Sequence, residues 1–174
     1  YNFSYDVPKT IRKMKDFYGH FGVLVRAYAY ILALGSAGLK KSSDYAVLNS
    51  NYLASKLKDY YNLPENVKFK HEFVLAGLKN PNGLVTLDVA KRLMDMGYHP
   101  PTVYFPLIVD EALMIEPTES ESKETLDGFA ESMIEIAKEA QTNPEVVHEA
   151  PHDTEIKRPD ETLAAKELIL KYTK

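Results

Sequence analysis

Residues 112–140 read ALMIEPTESESKETLDGFAESMIEIAKEA, and this stretch decides how the chain folds. It opens on a short apolar run, Ala112 to Glu116, which reads as a strand and stops at Pro117, a residue with no N–H for a ladder. Hydroxyl and acidic residues follow. Leu126, Phe129, Ala130, Met133, Ile134 and Ala137 then recur on one face at helical spacing. Thr118 with Glu121 three residues on has the spacing of a capping box, with Thr118 as cap. A strand that runs almost directly into an amphipathic helix predicts helices layered on a sheet.

Working outward, Thr102 to Ile108 reads as another strand. Its link to Ala112 is too short for a parallel crossover, so the two are expected to be antiparallel. Upstream, Val67, Phe69, His71, Phe73 and Leu75 alternate with Lys68, Lys70, Glu72 and Val74, a period of two that predicts a third strand. Asn80-Pro81-Asn82-Gly83 is turn chemistry. Thr86 is expected to cap a helix that ends at Gly97, with Val89, Ala90, Leu93, Met94 and Met96 on its buried side. His99-Pro100-Pro101 forces an extended chain.

The beginning of the chain reads differently. Tyr1 to Phe17 is polar and irregular and predicts an extended arm. Phe21 to Leu34 is apolar on nearly all sides, which predicts a buried, central helix. Gly35 is its expected stop, and Ser36 the expected cap of a second helix reaching about Tyr60. At the other end, prolines and charges from Gln141 to Glu161 predict a surface tail. Thr162 to Tyr172 predicts a short docking helix. The expected fold is α+β: a small antiparallel sheet with helices on one face, preceded by two long helices. The expected division is 1–60 for the arm and helices, 61–140 for the α+β domain, and 141–174 for the tail with a short C-terminal helix.

Composition narrows the function classes. The chain has 174 residues, 45% hydrophobic, with a net charge of -4 and no cysteine. No basic cluster is present, so nucleic acid is not an expected partner. Without cysteine there are no disulfides, thiolate nucleophiles or cysteine-ligated zinc, which fits a reducing, cytoplasmic setting. The run Phe21 to Leu34 holds Arg26 and falls short of the roughly 18–20 residues of a membrane span, so no membrane is expected either. Tyr1 in place of Met suggests a fragment or a processed product.

Few motifs carry chemistry. His148 and His152 have the spacing of two metal ligands on a helix, but Pro151 and the tail-like surroundings favour solvated histidines, and no metal is expected. His71-Glu72 lacks the second histidine of a zinc protease and sits in a strand pattern. Tyr18 to Gly22 favours close packing over a phosphate loop. Arg26 either packs its stem and surfaces its head, or makes a buried ion pair or anion contact. No serine triad is visible. Glu116-Pro117-Thr118-Glu119-Ser120-Glu121 is more unusual. Helix N-termini attract carboxylates, yet that does not account for Glu116 on the strand end.

Several blocks together resemble one family. They are Asp16 to Tyr28, His71 to Leu75, Leu87 to Thr102 with Gly97-Tyr98-His99-Pro100-Pro101-Thr102, and Leu113 to Glu124 with Glu116-Pro117-Thr118-Glu119. In this order and spacing they look like the P-protein of the glycine cleavage system, in the carboxy-terminal part of the second subunit of its split form. The resemblance spans nearly the whole chain. It implies a pyridoxal-phosphate enzyme of the aspartate-aminotransferase type, here the end of its large domain and its small C-terminal domain. It also implies decarboxylation of glycine and transfer of the aminomethyl group to the lipoyl arm of H-protein, with P-protein subunit 1 as partner.

The family's cofactor lysine follows a histidine in a motif that has no match here. The chain alone is therefore expected neither to hold pyridoxal phosphate covalently nor to decarboxylate glycine. His99 and Thr102, then Glu116, Thr118 and Glu119, then His71 and Glu72 carry over as residues lining the approach of substrate or lipoyl arm. These loops would share one cleft. His20 stands where the family usually has asparagine, so no role tied to that amide is carried over. The alternative from another class is a stand-alone protein-interaction domain. A third is a structural part of a subunit assembly.

Overall fold

The computed structural model describes residues 8–9, 19–65 and 67–171. Apart from Pro8 and Lys9, the expected arm over 1–17 lies outside the described residues. The chain divides into two units, Tyr1–Lys41 and Ser42–Lys174.

Helix α1 spans Phe21–Leu57 and is broken at Gly35, which takes φ 59° and ψ -176°. This is where the sequence placed the stop, and a positive φ there favours glycine. In the first unit the apolar turns of α1 are exposed: Phe21 keeps 77%, Leu24 57% and Leu32 64% of their surface. The expectation of a buried central helix is corrected, because nothing within that unit covers these side chains. By length and composition alone, α1 is apolar enough to cross a membrane. Its later turns, however, contribute Leu53, Ala54 and Leu57 to a packed protein core.

In the second unit, β1 (Phe73–Ala76), β2 (Thr102–Val103) and β3 (Ala112–Ile115) form an antiparallel sheet in the order β1-β3-β2. Phe73 pairs with Ile115 and Ala76 with Ala112, while Thr102 pairs with Met114. Phe73, Leu75, Leu113 and Ile115 are buried and join Leu93 of α2 (Thr86–Asp95) and Met133 and Ile136 of α3 (Lys123–Thr142) in one core. Each such side chain contributes about 1.5–3 kcal/mol by leaving water. Tyr61 is buried with them, and its hydroxyl donates to the Met133 carbonyl at 2.8 Å. The α+β class expected from the sequence is the one found.

Several boundaries differ, each for a local reason. The ladder of β1 begins at Phe73 rather than Val67. Phe69 instead gives its N–H to Asn51 Oδ1 (3.0 Å), and its carbonyl accepts from Asn51 Nδ2 (2.7 Å), so a side-chain amide replaces a neighbouring strand. β2 stops at Val103 rather than Ile108, because Tyr104 turns to φ 57° and Pro106 has no N–H to give. Leu107 and Ile108 then stand out in solvent.

Thr86 is the first helical residue of α2, not its cap. The Val85 N–H goes to Asp88 Oδ2 at 2.9 Å, and the Thr86 hydroxyl donates to the Glu111 carbonyl at 2.8 Å. Gly97, at φ 83°, closes the helix, with the Tyr98 N–H on the Leu93 carbonyl. The cap of α3 is Ser122, whose Oγ accepts the Thr125 N–H, not Thr118. Thr118 and Glu121 make a turn before the helix.

The expected tail is partly core. Helix α4 (Pro144–His148) buries Val147, and Ala150 is buried beyond it. Asp95 Oδ1 accepts the N–H groups of His152 (2.6 Å) and Asp153 (3.1 Å), and Arg158 reaches Asp88 at 2.8 Å. Helix α5 (Glu161–Lys166) is shorter than expected and buries nothing, so it does not dock. The compact unit starts at Ser42, which places Leu53 and Leu57, assigned by sequence to the first segment, in the core of the second.

Candidate functional site

Three strand and helix ends meet around one open cleft of about 420 Å³. Tyr98 to Thr102, between α2 and β2, form one side of it. Met114 to Pro117, at the end of β3, and Glu121 and Thr125, at the start of α3, form another. Leu53 of α1 and Leu126 and Phe129 of α3 line it as well. Most of its walls are apolar, and its polar side chains carry an imidazole, three hydroxyls and two carboxylates.

Local chemistry explains the placement. The prolines after His99 keep that segment extended until Thr102 pairs with Met114, two residues before Glu116. The Tyr98 ring meets Phe129 edge to face at 5.2 Å between centroids. Gly128 makes room for it: a Cβ there would lie 2.9 Å from the Tyr98 hydroxyl. On the acidic side, Asn49 of α1 is buried and its Nδ2 donates to the carbonyl of Thr118 at 2.8 Å.

His99, Thr102 and Glu116 all line this cleft. Thr118 and Glu119 continue the acidic turn without lining it, and the Thr118 hydroxyl pairs with Ser120 Oγ at 2.8 Å. His71 and Glu72 lie 3.8 Å apart as a largely exposed pair outside the cleft, and Glu72 borders a separate recess with Leu63 and Val109. Sequence reasoning missed Thr125 and Asn49, and took Glu121 and Tyr98 only as members of their segments, without a role in the cleft. Asn49 did leave a signal: it lies three residues after Ala46 and four before Leu53, a polar residue at helical spacing between apolar ones.

Beside the cleft, Asp127 is shared by Lys123, Lys56 and the Tyr52 hydroxyl. The Lys123 ammonium and the Tyr52 hydroxyl hold the Asp127 carboxyl well below the usual range, and Asp127 with Tyr52 pushes Lys123 up to about 12. Both ammonium groups also sit over the Tyr52 ring. Among the described residues no group of three or more His, Asp or Glu could hold a metal ion. His148 and His152 turn to different partners, Asp88 and the Val146 carbonyl.

An apolar cleft with polar groups converging on it suits a ligand that is mostly apolar along its length and polar at one end. Comparison with known proteins concerns the chain as a whole. The sequence model of the family described as glycine dehydrogenase, C-terminal domain, matches residues 42–159, beginning where the compact unit begins. A probable glycine dehydrogenase (decarboxylating) subunit 2 of Bacillus cereus (strain G9842) is 59% identical over the whole of this chain, and one of Bacillus thuringiensis (strain Al Hakam) is 58% identical. The chain spans 36% of the length of these relatives. Among solved structures, a crystal structure of glycine decarboxylase (P-protein) of the glycine cleavage system, in inhibitor-bound form, is similar with a TM-score of 0.50. It has 25% sequence identity, over 62% of this chain and 24% of that one.

Proposed function

This chain belongs to the family of glycine dehydrogenase C-terminal domains, and on that premise we propose that it forms one wall of the active cleft of a glycine-cleaving enzyme. In the proposed reaction glycine loses carbon dioxide and its aminomethyl group passes to one sulfur of the lipoyl disulfide on H-protein. The electron pair left behind reduces that disulfide, and the other sulfur takes a proton. Subunit 1 of the P-protein is the proposed partner, and a reducing cytoplasm the proposed setting, supported by the lack of cysteine.

The family is pyridoxal-phosphate-dependent. The cleft in this chain does not fit that group: its lining has no lysine to bind an aldehyde and no lysine or arginine to hold a phosphate. No step is therefore assigned to the cofactor here, and in this reading it is held by other parts of the enzyme.

What the cleft does fit is the carrier arm. Glycine is a small zwitterion with no apolar length to bury. A lipoyl-lysine arm is a long, mostly apolar chain, which walls such as Pro100, Met114, Leu126 and Phe129 would shelter from water. His99, Thr102 and Glu116 would then orient its polar end and the aminomethyl amine.

The observation that carries the reading is that His99 and Thr102, from one of the family-like blocks, and Glu116, from the next, line one open cleft. The test is His99→Ala and Glu116→Ala in the full-length enzyme with lipoylated H-protein. Each substitution should lower kcat/KM for the carrier by about tenfold or more, the scale of one lost orienting contact. Unchanged carrier kinetics and unchanged glycine exchange in either variant would refute the reading.

A further inference from the structure

We infer that Asn49 is a positioning residue for the acidic wall of this cleft, fixing the main chain that carries Glu116 and Glu121. The inference rests on the cleft reading above and names the residue that makes the wall rigid.

The segment from Glu116 to Glu121 joins β3 to the cap of α3, and the Thr118 hydroxyl pairs with Ser120 Oγ inside it. Pro117 has no N–H, and within the turn the Glu121 N–H reaches the Thr118 carbonyl at only 3.3 Å. Asn49 supplies what the turn lacks. Its Nδ2 stands 2.8 Å from the Thr118 carbonyl and 3.5 Å from that of Glu121, so one amide faces both ends of the turn.

Asn49 keeps only 9% of its surface, and Leu53, one helical turn further, is itself part of the cleft lining. One face of α1 thus contributes to the cleft and anchors its acidic side. An amide on a buried apolar stripe is costly unless its bonds are made, and here they are made to this segment.

Asn51 provides an internal control. It lies on the same helix two residues on and binds a distant backbone in the same way, at Phe69, which does not line the cleft. Substituting it perturbs a similar kind of bond in a place that should not matter to the carrier.

The experiment uses the full-length enzyme with its partner subunit and lipoylated H-protein. The variants are Asn49→Ala, Asn49→Asp, Asn51→Asp, Glu116→Ala and the double variant Asn49→Ala/Glu116→Ala. Asn49→Ala removes the donor and should lower carrier kcat/KM about tenfold. Asn49→Asp turns a carboxylate toward two carbonyls and should lower it about a hundredfold, the scale of a misplacement near 1 Å. Its deficit should narrow as pH falls, because the introduced carboxyl, once protonated, can donate to the Thr118 carbonyl again. KM for glycine should stay within about twofold in the Asn49 and Asn51 single variants.

The double variant should lose less than the two single losses combined, because Asn49 acts in part through that residue. Additive losses in the double variant would overturn the inference. So would an Asn51→Asp variant as impaired toward the carrier as Asn49→Asp, or Asn49 variants with wild-type kinetics. Asn49→Ala buries no charge and keeps the test open if Asn49→Asp does not fold. A Glu116→Ala variant without effect would sink the cleft reading instead, so the two failures are distinct.

Discussion

Replacing Asp95 should detach the segment after α4 from the core. The Asp95 side chain is 1% exposed. Its Oδ1 accepts main-chain N–H groups from His152 at 2.6 Å and Asp153 at 3.1 Å, and its Oδ2 lies 3.2 Å from Arg92 Nη1. Hydrogen bonds to a charged group contribute about 1.5–3 kcal/mol each before desolvation is set against them. Asp95→Ala leaves both N–H groups without their acceptor and should cost about 3 kcal/mol. Asp95→Asn keeps an oxygen for both N–H groups but loses the charge and turns an NH2 toward Arg92 in place of its acceptor, so about 1–2 kcal/mol is expected. For a chain of this length the second figure corresponds to a Tm lower by about 3–6 °C.

The pH dependence has a definite sign. Burial works to raise the pKa of Asp95, but the N–H groups of Asp153 and His152 and the Arg92 guanidinium outweigh it, and the carboxyl titrates below its ordinary value. A depressed folded-state pKa gives stability that is present above the unfolded value of about 3.9 and lost as pH falls through the folded one. Urea unfolding of wild type and Asp95→Asn at neutral pH and then at steps below pH 4 makes the comparison. The gap should be full at pH 7 and close on acidification. A variant as stable as wild type at pH 7, or a gap unchanged at low pH, would refute the reasoning.

Other outcomes are equally specific. Ser122→Ala should lower stability by about 1 kcal/mol through loss of the α3 cap, whereas Thr118→Ala should stay within about 0.5 kcal/mol, read from thermal melts of both. Gly128→Val should push the Tyr98 ring off Phe129 and cost about 1–3 kcal/mol by overpacking, with a matching rise in KM for lipoylated H-protein. The isolated chain incubated with pyridoxal phosphate and reduced with borohydride should keep no cofactor absorbance after dialysis. A band that survives would show a lysine of this chain holding the aldehyde.

What was legible in the sequence was whatever repeated. The stripe Leu126, Ala130, Met133, Ala137 announced α3, and these residues are buried as expected. Gly35 and Gly97 marked helix ends because a positive φ has few other occupants. Alternation alone misjudged 67–72, where the partner of Phe69 is a side chain from a distant helix and leaves no period. α4 escaped notice because Val147 and Ala150 are too few to form a pattern among prolines and charges. Of the candidate site, His99, Thr102 and Glu116 were readable from the blocks that carry the resemblance, whereas His71 and Glu72 sit elsewhere. The exposure of Phe21 to Leu32 was not readable, since an all-round apolar helix gives no sign of what covers it.

The strand order has a consequence for how this protein is made. β3 lies in the middle of the sheet and is the last of its strands in sequence. As the ribosome extends the chain, β1 and β2 emerge before the strand that joins them in the sheet. The sheet can close only after Ile115 has cleared the exit tunnel, and Glu116 and the start of α3 follow at once. Until then Phe73, Leu75 and Val103 remain uncovered in a nascent chain, the interval in which a chaperone matters most. A ribosome stalled before Ala112 would hold a chain with no sheet at all.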